Sequence, residues 1–180
     1  NGAFLAFIWP SFGSLAAFLS ILCVYFVKVF LTGKDVSFYT KLIFLVLLVP
    51  VLLFAHTDLS ISGFNLTSCD AFDFEGLLYK LYYTALGFIS VIWILISLIK
   101  GYRKADLDFK KQILYMGIGI EFFLIAFIFI TFIVTYMTTL GYFEDSSLEL
   151  YGLFGMTVFM VMIGVLMVQF KTFSVGLVAP

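Results

Sequence analysis

Lys100 to Glu121, KGYRKADLDFKKQILYMGIGIE, decides how the rest of this chain is read. It opens with the one sizeable cluster of positive charge, Lys100, Arg103, Lys104, Lys110 and Lys111, diluted by Asp106 and Asp108. It then runs straight into an apolar stretch that carries a single carboxylate, Glu121. A basic segment between two long apolar runs marks the cytoplasmic edge of a membrane. A carboxylate well inside such a run marks a candidate site, because an ionised group at the bilayer centre costs roughly 3 kcal/mol or more unless it is paired or hydrated.

The composition agrees with a membrane setting. Of 180 residues, 63% are hydrophobic, 20% aromatic and 12% charged, with a mean hydropathy of +1.17. Soluble domains carry about 25% charged residues. The apolar runs are long and continuous rather than alternating, which excludes an outer-membrane β-barrel. The chain therefore reads as an all-α, polytopic helix bundle that forms a single transmembrane domain, multi-pass in the cell membrane. The net charge of −1 says nothing about nucleic acid, because the basic residues sit at membrane boundaries, and no nucleic-acid partner is expected.

Outward from the basic segment, five transmembrane helices are expected, at about 11–31, 39–55, 76–100, 111–139 and 148–171. Pro10 falls in the first turn of the first, where proline is tolerated, so residues 1–9 read as an apolar lead-in. GKDVSF (33–38) is a tight connection, and Pro50 is expected to kink the second helix. Between the second and third helices lies a polar segment, HTDLSISGFNLTSCDAFDFE, with acidic Asp58, Asp70, Asp73 and Glu75. GYFEDSS forms a second acidic loop. With the basic loop cytoplasmic, every lysine and arginine except Lys80 lies inside, and both acidic loops lie outside. The N-terminus is then outside and the C-terminus cytoplasmic. Starting at Asn1 and stopping in an apolar tail at Pro180, the sequence reads as a piece of a longer chain.

Tyrosines fit the same depths. Tyr79, Tyr82, Tyr83, Tyr136, Tyr142 and Tyr151 cluster toward the outer edge and Tyr102 and Tyr115 toward the inner one, as an interfacial belt requires. The halves of the chain do not repeat, in either orientation.

Glu121 lies about 13 to 15 Å from the cytoplasmic edge at ~1.5 Å per residue, close to the middle of a core about 30 Å thick. Two readings stand side by side: a ligand contact or switchable latch, and a neutral acid hydrogen-bonded to a neighbouring helix. Gly117 and Gly119, like Gly152, Gly155 and Gly164, read as places where helices approach closely. Met156, Met160, Met162 and Met167 suit a surface that repacks, or an ordinary lipid-facing one. Asp58, Asp70, Asp73 and Glu75 form an acidic rim whose spacing matches no calcium loop. His56 caps the second helix, and Asn65-Leu66-Thr67 is a glycosylation sequon. No metal-ligand spacing, phosphate loop or nucleophile beside a second titratable group occurs. No metal, no cofactor and no enzymatic activity are expected.

The segment IKGYRKADLDFKKQILYMGIGIEFFLIAF resembles the middle of the seven-transmembrane N-terminal sensor region of some bacterial and archaeal histidine kinases. There a helix ends in a YRKA-type basic loop, followed by KKQI and a glycine-containing helix. SGFNLTSCDAFDFEG resembles the loop before that helix, and QFKTFSVGLVAP resembles the exit from its last helix. The resemblance implies that the five spans correspond to the last five of seven. It also implies a sensing and transmitting role without catalysis, served by a cytoplasmic signalling domain. Besides the lipid bilayer, a second copy or a membrane partner subunit is the other partner class. The alternative function is a non-catalytic subunit of a transporter or larger membrane complex.

Overall fold

In a computed structural model of the chain, the structure describes residues 2–65, 72–130, 133, 137, 142 and 152–170. Among these the fold is all-α apart from one short hairpin.

Helix α1 spans Gly2–Thr32 and runs unbroken through Pro10. The expected lead-in at residues 1–9 is thus corrected, since the helix continues back to Gly2. Proline removes one backbone hydrogen bond of the helix, and the remaining ones carry the helix across it. At the other end Gly33 adopts φ 63° and donates its N–H to Val29 O at 2.8 Å. This left-handed cap is a conformation for which glycine is suited. Ser37 then caps α2 (Phe38–Phe54), its side chain accepting from Thr40 N. Only Leu48 and Val51 of α2 are buried.

The polar segment after α2 is not coil throughout. Strands β1 (Ile61–Asn65) and β2 (Phe72–Glu75) pair antiparallel, with Ile61 opposite Glu75 and Asn65 opposite Phe72. Gly76 N donates to Ser60 O at 2.7 Å and closes the hairpin base. A Cβ on Gly76 would stand 1.7 Å from Leu59 O, so glycine is needed where the chain turns into α3.

Helix α3 covers Leu77–Lys104 and α4 covers Leu107–Leu124. The expected basic loop is therefore corrected: Lys100, Arg103 and Lys104 form the last turns of α3, and Lys110 and Lys111 lie in the first turns of α4. Lysine and arginine are good helix formers and their charges favour a helix C-terminus, so the helix continues through them. Asp106 stops it by capping α4, accepting from Phe109 N at 3.0 Å. A π-helical segment, Ile125–Ile130, comes directly after α4. Helix α5 is Gly152–Phe170.

Two apolar clusters hold the bundle. The larger joins α1, α3, α4 and α5 through residues such as Val27, Ile94, Met116, Ile120 and Leu166, all fully buried. The smaller joins the other halves of α1 and α3 to α2 through Ala17, Ile21, Val51 and Leu86. Stretches Gly13–Thr32, Leu78–Lys104 and Leu107–Ile128 are long and apolar enough to cross a membrane. Helices α2 and α5 are apolar but shorter.

Candidate functional site

Helix α4 is squeezed between two neighbours at its glycines. A Cβ on Gly117 would meet Leu98 Cδ1 of α3 at 3.1 Å, and one on Gly119 would meet Met162 Cβ of α5 at 2.9 Å. Glu121 lies four residues beyond Gly117, one turn along the same face. It therefore belongs to the side of α4 that meets α3, away from the α5 contact. From α1, Cys23 is its electrostatic neighbour. The carboxyl is half-buried, and its Oε1 is sealed from solvent with no hydrogen-bond partner among the described residues. An unpartnered buried polar group costs about 1–3 kcal/mol, so this arrangement holds Glu121 in an unsatisfied state.

The turn immediately beyond Glu121 is equally unusual. Ile125 N bonds to both Glu121 O and Phe122 O, and the helix widens to π geometry at that point. The widened turn is wedged between two glycines. Ile128 Cδ1 lies 2.7 Å from where a Cβ on Gly87 of α3 would be, and Ala126 Cβ lies 2.6 Å from that of Gly155 on α5. Single π turns concentrate at functional positions. Sequence reasoning found Glu121, Gly117, Gly119 and Gly155 but missed the π turn and Gly87. Nothing in the uniform apolar run IAFIFI signals a change of helical pitch.

A second polar cluster surrounds Pro50. Proline has no N–H to give to the preceding turn, and around it the carbonyls of α2 find partners on other helices. Tyr82 OH donates to Leu47 O at 2.9 Å. Val51 O lies 3.4 Å from Ser14 Oγ and 3.5 Å from Tyr79 OH. Tyr79 is only 7% exposed and stacks edge-on against Tyr83 at 5.5 Å. The hydroxyls of Tyr79 and Tyr82 turn inward to carbonyls of α2. Tyr142 and Tyr102 are exposed, whereas Tyr136 and Tyr151 lie outside the described residues.

At the opposite end, the structure gathers the basic residues. Lys100, Arg103, Lys104 and Lys111 are exposed, and Lys110 lies over the Tyr102 ring at 5.6 Å. The end of α1 sits beside them: Phe30 stacks on Phe109 at 5.4 Å, and Leu31 packs against Gly101. Asp58 is exposed, Asp73 and Glu75 belong to β2, and Asp70 lies outside the described residues. Among the described residues, no three His, Cys, Asp or Glu side chains are placed to hold a metal ion. His56 is exposed just after α2. Cys69, the sequon beyond Asn65, the carboxylates of the second acidic loop and Lys171 are also outside the described residues.

Comparison of the chain with family models, with curated proteins and with solved structures gave no match.

Proposed function

We propose that the chain is a membrane-embedded sensing and signal-transmitting module with five spans, its basic end in the cytoplasm, and Glu121 as the polar latch of its response. The observation that carries this reading is the unpartnered Oε1 of Glu121 inside the bundle, one turn before a π segment wedged between α3 and α5. A half-buried carboxyl whose sealed oxygen has no donor among the described residues leaves this packing poorly satisfied there. Any arrangement, or any ligand group, that supplies a donor gains stability relative to it, and that difference is what shifts a two-state equilibrium. The π turn supplies the adjustable element: closing it to α geometry rotates the chain beyond it relative to Glu121. The change reaches α5 through Ala126 and Gly155, and α5 carries it to a cytoplasmic signalling domain.

Glu121→Leu and Glu121→Gln test this in purified full chain in detergent. Glu121→Leu removes the unsatisfied oxygen and is expected to raise the melting temperature by several degrees, corresponding to about 1–3 kcal/mol. It should also slow amide exchange across Ile125–Ile130. Glu121→Gln keeps the polar shape and should leave both close to the parent. If Glu121→Leu changed neither, the latch reading would be lost.

A second reading, a non-catalytic subunit of a transporter or larger membrane complex, is favoured by α2. Leu42, Ile43, Leu45, Val46, Leu52 and Leu53 of that helix are all exposed. A partner helix would cover them.

A further inference from the structure

Helix α3 carries a stripe whose chemistry changes along its length. Ile89, Trp93 and Ile96 are exposed, followed by exposed Lys100 and Lys104. Steps of three and four residues keep all five on one face of the helix. From Ile89 to Lys100 the rise is about 16 Å, close to half of a hydrocarbon core about 30 Å thick. One face thus offers one leaflet's depth of apolar surface ending in two ammonium groups. Arg103 stands exposed beside them.

The nearby acids do not neutralise these cations. Asp106 is committed to capping α4, and Asp108 lies in the first turn of that helix, where the helix dipole favours it. The ion pair at this end is Lys41 with Asp35. None of Lys100, Arg103, Lys104 and Lys111 pairs with a carboxylate among the described residues. Helix α4 repeats the arrangement, with exposed Lys111 followed by exposed Leu114, Ile118 and Phe122.

We propose that this face of α3 binds an anionic phospholipid, its headgroup phosphate held by Lys100 and Lys104 and an acyl chain lying along Ile96, Trp93 and Ile89. The proposal rests on the membrane reading of α3 and is independent of any role for Glu121. A zwitterionic lipid satisfies the apolar part equally well, but its own cation opposes the two lysines. Selectivity therefore belongs to the lysines, at about fivefold per cation near a membrane surface, or about 1 kcal/mol each.

Trp93 serves as the reporter. The chain has two tryptophans, so Trp9→Phe leaves Trp93 as the single tryptophan, excited selectively over the tyrosines. The full chain is placed in phosphatidylcholine nanodiscs, and a lipid brominated on its acyl chain is added at increasing mole fraction. Brominated phosphatidylglycerol is expected to half-quench Trp93 at a several-fold lower mole fraction than brominated phosphatidylcholine. Lys100→Gln with Lys104→Gln should abolish that preference, and high salt should weaken it without any mutation. Inorganic phosphate in millimolar excess should not displace the lipid; displacement would show a site for free phosphate and overturn the proposal. Equal quenching by the two lipids, or a preference that survives both the double substitution and high salt, also overturns it. Quenching by neither lipid would remove α3 from the bilayer, and the membrane reading would go with it.

Discussion

Two glycines of α5 separate what a missing side chain does from where it sits. A Cβ on Gly155 would stand 2.6 Å from Ala126 Cβ and 3.2 Å from Phe123 Cα, so backbone would have to move. Gly164, nine residues on, has nothing within 4 Å. Overpacking a fitted contact costs about 1–3 kcal/mol, whereas replacing glycine by alanine in an open helix position gains up to about 1 kcal/mol. Gly155→Ala is therefore expected to lower the melting temperature of the purified chain, and Gly164→Ala to leave it unchanged or raise it slightly. Equal effects from the two would mean that α4 and α5 do not approach closely at Gly155. In the sequence the two glycines look alike, because spacing alone does not say which one faces a neighbour. Glu121 was legible for the opposite reason. A carboxylate in an apolar run stands out wherever it points, but the absence of a donor for Oε1 depends on what α1 and α3 place around it.

At the scale of elements, the connection between α1 and α2 is held by one carboxylate. Asp35 accepts from Tyr25 OH and from Val36 N, each at 2.7 Å, and pairs with Lys41. Lys41 above all, and then Tyr25, holds this carboxyl below its ordinary value of 3.8. Because the folded chain binds the proton more weakly than the unfolded one, the contribution is fully present above the ordinary value. It is lost as the pH falls through the lower, folded one. All three groups are exposed or nearly so, which keeps the effect small. Melting temperature measured from about pH 5 down to about pH 3 should fall slightly more for the parent than for Asp35→Asn; parallel curves would mean that the pairing adds nothing to stability. The boundaries between α3 and α4 were misplaced because charge read as loop, whereas the helices run on to Lys104 and begin again at Leu107 after the Asp106 cap. The hairpin was legible in principle, since FDFE alternates apolar and polar as a strand does, but its many polar residues read as coil. The π turn was not legible, because every residue of IAFIFI suits an α-helix in an apolar setting equally well. Nor was the inward turn of Tyr79 and Tyr82. The amphipathic ring that suits an interface also suits a hydroxyl reaching a carbonyl near a proline.

For the whole molecule, the sorting of charge and the packing of helix ends make the same demand. The proposed orientation places the ends of α1 and α3 and the start of α4 on one side of a bilayer. The structure puts them at one end of the bundle through the Phe30–Phe109 stack and the Leu31–Gly101 contact. Helix α2 leads away from that end to Asp58 and the hairpin. In the proposed orientation the excess of lysine and arginine puts the basic end in the cytoplasm. Single cysteines introduced into a chain carrying Cys23→Ala and Cys69→Ala read this directly. Lys34→Cys and Asp108→Cys probe the basic end, and Asp58→Cys probes the other; all three parent residues are exposed. In intact bacterial cells a membrane-impermeant maleimide is expected to label Asp58→Cys, and to reach the other two only after permeabilisation. The reverse pattern would invert the orientation and put the basic end outside. Labelling of Lys34→Cys and Asp108→Cys from opposite sides would go further, because no bilayer can separate two positions joined by the Phe30–Phe109 stack. The bundle itself, and not only its orientation, would then have to be abandoned.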